Sequence, residues 1–247
     1  IFTPLDPSLA EGGMAHEGPT ASRLGLIGIP ESAETVALAR DLLLIEQTGV
    51  RAHFSGLTSA RAVDMLATAQ ARGLPVTADV AAYQLLLCDE DLNGFSSLLH
   101  VMPPLRSAAD RRALREAVQS GIVQAIASHH RPHEPEVKRV PFAASAPGIS
   151  SVEILLPLAL TLVADGLLEL PALLSRLTTG PAAALNLQAG QLTLGGAADL
   201  TLFDPAKACE IGRNWLSRGA NCPFIGQGAP AAVTHTLCNG KLVYQAN

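Results

Sequence analysis

Apolar positions along most of this chain alternate between helical and strand spacing. Within Glu31–Gln47, Leu38, Leu42 and Ile45 recur at i, i+4 and i+7, which predicts a helix that Gly49 stops. Val50–Ser55 predicts a short strand, and Ser59–Arg72 a second helix with Ala62, Leu66 and Ala69 on one face and Gly73 behind it. Pro75–Val80 predicts the next strand. Ser107–Ser120 opens on Ser-Ala-Ala-Asp, a capping-box pattern, and Gly121 ends it just before the strand-like run Ile122–Ser128. Strand, loop and helix repeated at this spacing predict parallel βα units.

A polar, proline-rich loop, Arg131–Gly148, comes next. Ser150-Ser-Val-Glu153 then reads as a helix start, with Pro157 near the second turn, where a proline is expected to kink the helix. Pro171–Leu177 and Pro181–Leu185 are further helical pieces. From about residue 188 the texture changes to short β runs, Ala198–Phe203, Ala231–Cys238 and Lys241–Tyr244, the last two joined by Asn239-Gly240. That dipeptide is a strong hairpin signal, because both central residues of a type I′ turn need positive φ. The expected division is a partial α/β barrel over residues 1–187 and a small β module over 188–247.

Composition narrows the function classes. With 247 residues, 48% hydrophobic and 16% charged, the chain can bury a large α/β core. Its net charge of −5 and interspersed charges leave no basic stripe for phosphates, so nucleic acid is not an expected partner. The apolar run Ile154–Ala164 contains Pro157 and falls well short of the roughly 20 residues that cross a bilayer. Cys88, Cys209, Cys222 and Cys238 form no C-x-x-C pair, so neither a disulfide framework nor a zinc ribbon is indicated. A soluble, cytoplasmic protein with reduced thiols is expected. The chain opens on Ile1-Phe-Thr-Pro and its first methionine is Met14, as a piece of a longer polypeptide would.

The candidate chemistry lies at Ile122–His133, where a strand-like run leads into His129, His130 and His133. Metal-dependent hydrolases present ligands in this way at the mouth of a barrel. No Asp or Glu is expected at that mouth, since none stands in this stretch. The three histidines are candidates for a new metal site, but Pro132 favours a loop and no Glu completes an H-E-x-x-H pattern, so a histidine-rich solvated loop is the competing expectation. About four barrel-type strands are too few to close an eight-stranded barrel. Completion of the sheet by further segments or by another subunit is therefore expected.

An ordered set of short motifs connects these features. It comprises Leu9-Ala-Glu-Gly-Gly13, Ser22-Arg-Leu-Gly-Leu26, Gly28-Ile-Pro-Glu31, Ala39-Arg-Asp-Leu42, Gly73-Leu-Pro-Val-Thr-Ala78, Asp89-Glu-Asp-Leu92, Pro103-Pro-Leu-Arg106, Ala198-Asp-Leu-Thr-Leu-Phe-Asp-Pro205, Asn221-Cys-Pro-Phe224 and Gly240-Lys-Leu-Val-Tyr244. In order and spacing the chain resembles the C-terminal two-thirds of a dihydroorotase, within the amidohydrolase superfamily. The resemblance implies a TIM-like (β/α)8 metal-hydrolase barrel, only its later strands present here, with a small C-terminal β-sandwich module. In active members zinc and a metal-bound water open the ring of dihydroorotate to carbamoyl aspartate, with an aspartate handling the proton.

Residue by residue, the resemblance also shows departures. A ligand histidine of the family corresponds to Gly56 in Gly56-Leu-Thr-Ser59, while His53, three residues earlier, is expected to be structural and to point to the opposite face. A histidine pair corresponds to Tyr83 and Gln84. The family's aspartate corresponds to His129 in Ser128-His-His-Arg-Pro-His133, and an asparagine that pairs with substrate corresponds to Met102. Catalytic zinc ordinarily has three protein ligands plus water, so these changes imply no metal and no bound cofactor. The implied role is that of the dihydroorotase-like, non-catalytic polypeptide of some bacteria, which assembles with aspartate transcarbamoylase, as homo-oligomers within that complex. An active zinc-dependent dihydroorotase with an atypical ligand set is the alternative, and a hydantoinase or allantoinase activity would suffer from the same losses.

Overall fold

Parallel βα repeats form the body of the molecule. The computed structural model describes residues 1–212 and 215–246. In chain order the elements are β1 (Ala15–His16), α1 (Pro19–Leu24), β2 (Gly28–Ile29), α2 (Ser32–Thr48), β3 (Ala52–Phe54), α3 (Ala60–Ala71), β4 (Val76–Ala81), α4 (Ala108–Ser120), β5 (Ala125–Ala127), α5 (Leu155–Ala164), α6 (Leu170–Leu177) and α7 (Thr179–Ala184). A β-rich segment follows with β6 (Leu200–Asp204), β7 (Cys209–Glu210), β8 (Gly228–Ala229), β9 (Ala232–Cys238) and β10 (Lys241–Gln245).

β3, β4 and β5 form a parallel sheet in that order, with Ala52 opposite Val76 and Asp79 opposite Ala125. β1 and β2 form a separate parallel pair, and Phe2 makes a parallel bridge to Phe54 at the free edge of β3. Almost every residue of these central strands is buried, as helices on a parallel sheet require. Leu38 and Ile45 of α2, Leu66 of α3 and Leu114 of α4 pack with Phe54 and Leu57 in the core.

The helices start and stop where local chemistry dictates. Ser59 accepts a hydrogen bond from the Ala62 amide at 3.2 Å, and Ser107 with Asp110 forms a reciprocal capping box at α4. Gly49 and Gly121 end α2 and α4 in the left-handed conformation. Pro157 differs from expectation. The helix begins only at Leu155, after a 3-10 turn over Val152–Ile154, so the proline falls in the first turn, where its missing N–H has no intrahelical acceptor and no kink is needed. The predicted strands over Val50–Ser55 and Ile122–Ser128 shorten to three residues each.

In the C-terminal part, β10, β9 and β6 form an antiparallel sheet, and β7 pairs with β8. Asn239 (φ 49°) and Gly240 (φ 76°) both adopt positive φ at the β9–β10 turn, as that dipeptide predicts. Ile211, Cys222, Phe224, Ala229 and Ala231 are buried with the main core. Among the described residues no helix is long and apolar enough to cross a membrane.

Candidate functional site

The C-terminal ends of β3, β4 and β5 converge on one side chain. β3 stops at Phe54, and Gly56 follows with φ 78°; β4 carries Asp79; the chain leaving β5 turns at His129, whose φ is 47°. Asp79 sits between all three. Its Oδ1 accepts from the Gly56 amide at 2.9 Å and from His129 Nε2 at 2.7 Å, while Oδ2 accepts from His53 Nε2 at 2.9 Å. His53 Nδ1 meets Thr77 Oγ1 at 2.8 Å.

Two expectations change here. The mouth does contain an acidic residue, supplied not by Ile122–His133 but by the neighbouring strand. His53 is a satisfied histidine as expected, but it does not face away from Gly56. The strand ends at Phe54, so alternation no longer fixes the side on which residue 56 lies, and both residues bond the same carboxylate.

Burial alone would raise the pKa of Asp79, but hydrogen bonds from His129 and His53, with their charge, hold it well below the usual carboxylate range. Asp79 is therefore an anion at neutral pH. Left-handed backbone at a residue with a side chain costs on the order of 1 kcal/mol or more, and the short bond to Asp79 offsets that at His129.

The remaining candidates are held apart. His130 Nδ1 accepts from the Ser151 and Val152 amides at 2.9 and 3.1 Å, which occupies that nitrogen. His133 Nε2 donates to the Pro147 carbonyl at 3.0 Å. Tyr83 and Gln84 are buried in a 3-10 turn after β4; burial pushes the Tyr83 phenol up, and Gln84 Nε2 reaches the Pro103 carbonyl at 3.4 Å. Met102 is partly buried ahead of Pro103. Among the described residues no three His, Cys, Asp or Glu side chains form a group able to hold a metal ion. The residues present do not fit zinc: position 56 has no side chain, and the Nε2 atoms of both nearby imidazoles point at Asp79.

Asn221 was flagged by its motif, but its role is visible only in three dimensions. Its Oδ1 accepts from the His133 amide at 2.8 Å, its Nδ2 donates to the Arg131 and Gly148 carbonyls at 3.0 Å each, and its carbonyl accepts from the Ser150 amide at 3.1 Å. One buried amide thus ties the loop after β5 to the C-terminal part of the chain. Asn221→Ala strands three backbone groups, and a fall of roughly 5–10 °C in the thermal midpoint is expected, checked by circular dichroism.

A second buried network joins Thr58, close in sequence to Gly56, to Glu34 and Arg106. The Thr58 amide and hydroxyl each donate to Glu34 at 2.7 Å. Arg106 donates from Nε to Thr58 Oγ1 at 3.1 Å and from Nη1 to the Ile29 carbonyl at 3.0 Å and His16 Nδ1 at 3.1 Å. Its Nη2 lies 3.8 Å from Glu34, a charge contact without a hydrogen bond. Burial raises the pKa of Glu34 against the pull of Arg106, and burial followed by the Arg106 charge lowers that of His16.

Parallel βα units with the candidate residues at their strand ends are the arrangement of a TIM-like barrel, and the amidohydrolase family profile matches residues 27–243. The chain belongs to the amidohydrolase family. It is 66% identical over 245 residues to a dihydroorotase-like protein of Pseudomonas aeruginosa, covering 99% of this chain and 58% of that protein. Among solved structures it resembles a D-hydantoinase (dihydropyrimidinase) from Thermus sp., with a TM-score of 0.81 and 23% identity over 96% of this chain and 53% of that one. It also resembles the inactive dihydroorotase-like domain of a CAD-like multifunctional protein from Chaetomium thermophilum, with a TM-score of 0.65 and 23% identity over 85% of this chain and 56% of that one. The chain spans a little over half the length of the curated relatives it matches.

Proposed function

We propose that this chain is a non-catalytic, dihydroorotase-like component of pyrimidine biosynthesis, acting in the cytoplasm as a structural partner of aspartate transcarbamoylase and forming homo-oligomers within that assembly. One observation carries the loss of catalysis. At the position corresponding to a ligand histidine stands Gly56, and the imidazole of His129, at the position of the proton-handling aspartate, is bonded to Asp79. A hydrolase of this family needs a metal-bound water there and a carboxylate to move its proton. Gly56 and His129 offer neither a metal ligand nor a carboxylate, and the one acid beside them, Asp79, is taken up by two imidazoles and an amide. A fold kept without its chemistry is suited to holding a partner, and the likeness to a dihydroorotase-like protein supports this reading.

The test is turnover and association measured on the same purified protein. Dihydroorotate hydrolysis is expected to stay at background with zinc added, and the protein is expected to elute with aspartate transcarbamoylase as one complex in size-exclusion chromatography. Zinc-dependent ring opening would overturn the catalytic half of the reading, and separate elution the structural half.

A further inference from the structure

The vacated ligand position is not empty space. A side chain at position 56 would place its Cβ 2.8 Å from His129 Cε1, closer than real Cβ contacts come, with Nδ1 and Nε2 each at 3.5 Å. The ring therefore points its Cε1 edge straight at the Gly56 backbone. It cannot swing aside cheaply, because Nε2 is fixed on Asp79, and Asp79 is fixed in turn by His53 and by the Gly56 amide itself. Both Gly56 and His129 have left-handed backbones, and the close approach occurs between these two bends.

We propose that His129 is a wedge and positioning residue: its imidazole fills the volume a ligand at position 56 would need, and through Asp79 it clasps the ends of β3, β4 and β5 with protein groups alone. The inference rests on the metal-free reading above and deepens it. Gly56 and His129 form one coupled change. While His129 is in place no side chain can enter at 56, so a Gly56→His substitution alone cannot restore a ligand; it first needs the imidazole removed. The clasp also explains how the strand ends stay closed without an ion, since one carboxylate spans all three.

The test is a double-mutant cycle on the thermal midpoints of the wild type, Gly56→Ala, His129→Ala and the double variant, each with and without EDTA. Both backgrounds share the cost of alanine at positive φ, but only the wild type suffers the collision. Gly56→Ala is expected to lower the wild-type midpoint by roughly 8 °C and the His129→Ala midpoint by less than half as much. Equal falls in the two backgrounds would overturn the wedge. If Gly56→Ala does not fold, folding of the double variant supports the wedge and its equal failure overturns it. The chelator separates this from the reading beneath it: a wild-type midpoint lowered by EDTA would overturn the metal-free site, whatever the cycle gives.

Discussion

Asp79→Ala is expected to lower the thermal midpoint by roughly 10 °C or more, the largest effect of any single substitution at the strand ends. The carboxylate accepts from Gly56, His53 and His129 and is almost fully buried. Its removal leaves two imidazoles and one amide without an acceptor, a loss of about 3–5 kcal/mol for breaking a buried, charge-assisted cluster. Near this chain length each kcal/mol moves the midpoint by about 2–4 °C. Asp79→Asn should recover only part of the loss, because its amide NH₂ would face one imidazole donor.

The pH dependence has a definite sign. The Asp79 pKa in the folded protein lies below its unfolded value of about 3.9. Its contribution is therefore fully present above that pH and is lost as pH falls toward the folded value. The gap in midpoint between wild type and Asp79→Ala should narrow as pH falls below about 4. A gap that goes on widening below that pH would contradict the assignment of Asp79 as a stabilising anion.

Arg106→Met is the second large effect, expected near 3–5 kcal/mol at neutral pH. It removes the cation beside Glu34 and the donors to Thr58, Ile29 and His16. Burial already raises the Glu34 pKa with Arg106 present, and without it the carboxyl would be driven further toward the neutral acid. A group whose folded pKa is raised is best accommodated below its unfolded value, so the deficit of Arg106→Met should shrink as pH falls from neutral toward about 5. Urea unfolding at several pH values would read this directly. A pH-independent deficit would mean that packing of the arginine stem, rather than the charge of Glu34, dominates.

The helices were legible because their signals are local. Ser59, Ser107 and Asp110 cap within one turn, and Gly49 and Gly121 stop their helices through a conformation that glycine adopts without strain. Pro157 misled because its effect depends on the helix start, and the Ser150–Glu153 signature placed that start too early: the Glu153 carboxylate accepts from the Leu216 and Ser217 amides instead of capping its own helix. Resemblance singled out Gly56, Tyr83, Met102 and His129. What surrounds them could not be read from it. Asp79 lies 26 residues from His53 and 50 from His129, and only the parallel register brings the three together. Reading Ile122–His133 as a self-contained stretch hid the acid that an adjacent strand supplies.

Fold and strand-end contacts draw on different residues of this chain. Core residues of the βα repeats, such as Leu38, Leu66 and Leu114, are buried and take no part in the hydrogen bonds of Asp79. One carboxylate, bonded by two imidazoles and an amide, joins the ends of β3, β4 and β5.

The most direct measurement is the metal content of the protein purified from zinc-supplemented cells, determined by elemental mass spectrometry. The account predicts less than about one zinc per ten chains, since catalytic sites ordinarily need three protein ligands. Near-stoichiometric zinc that is lost on substituting His129 or Asp79 would contradict it.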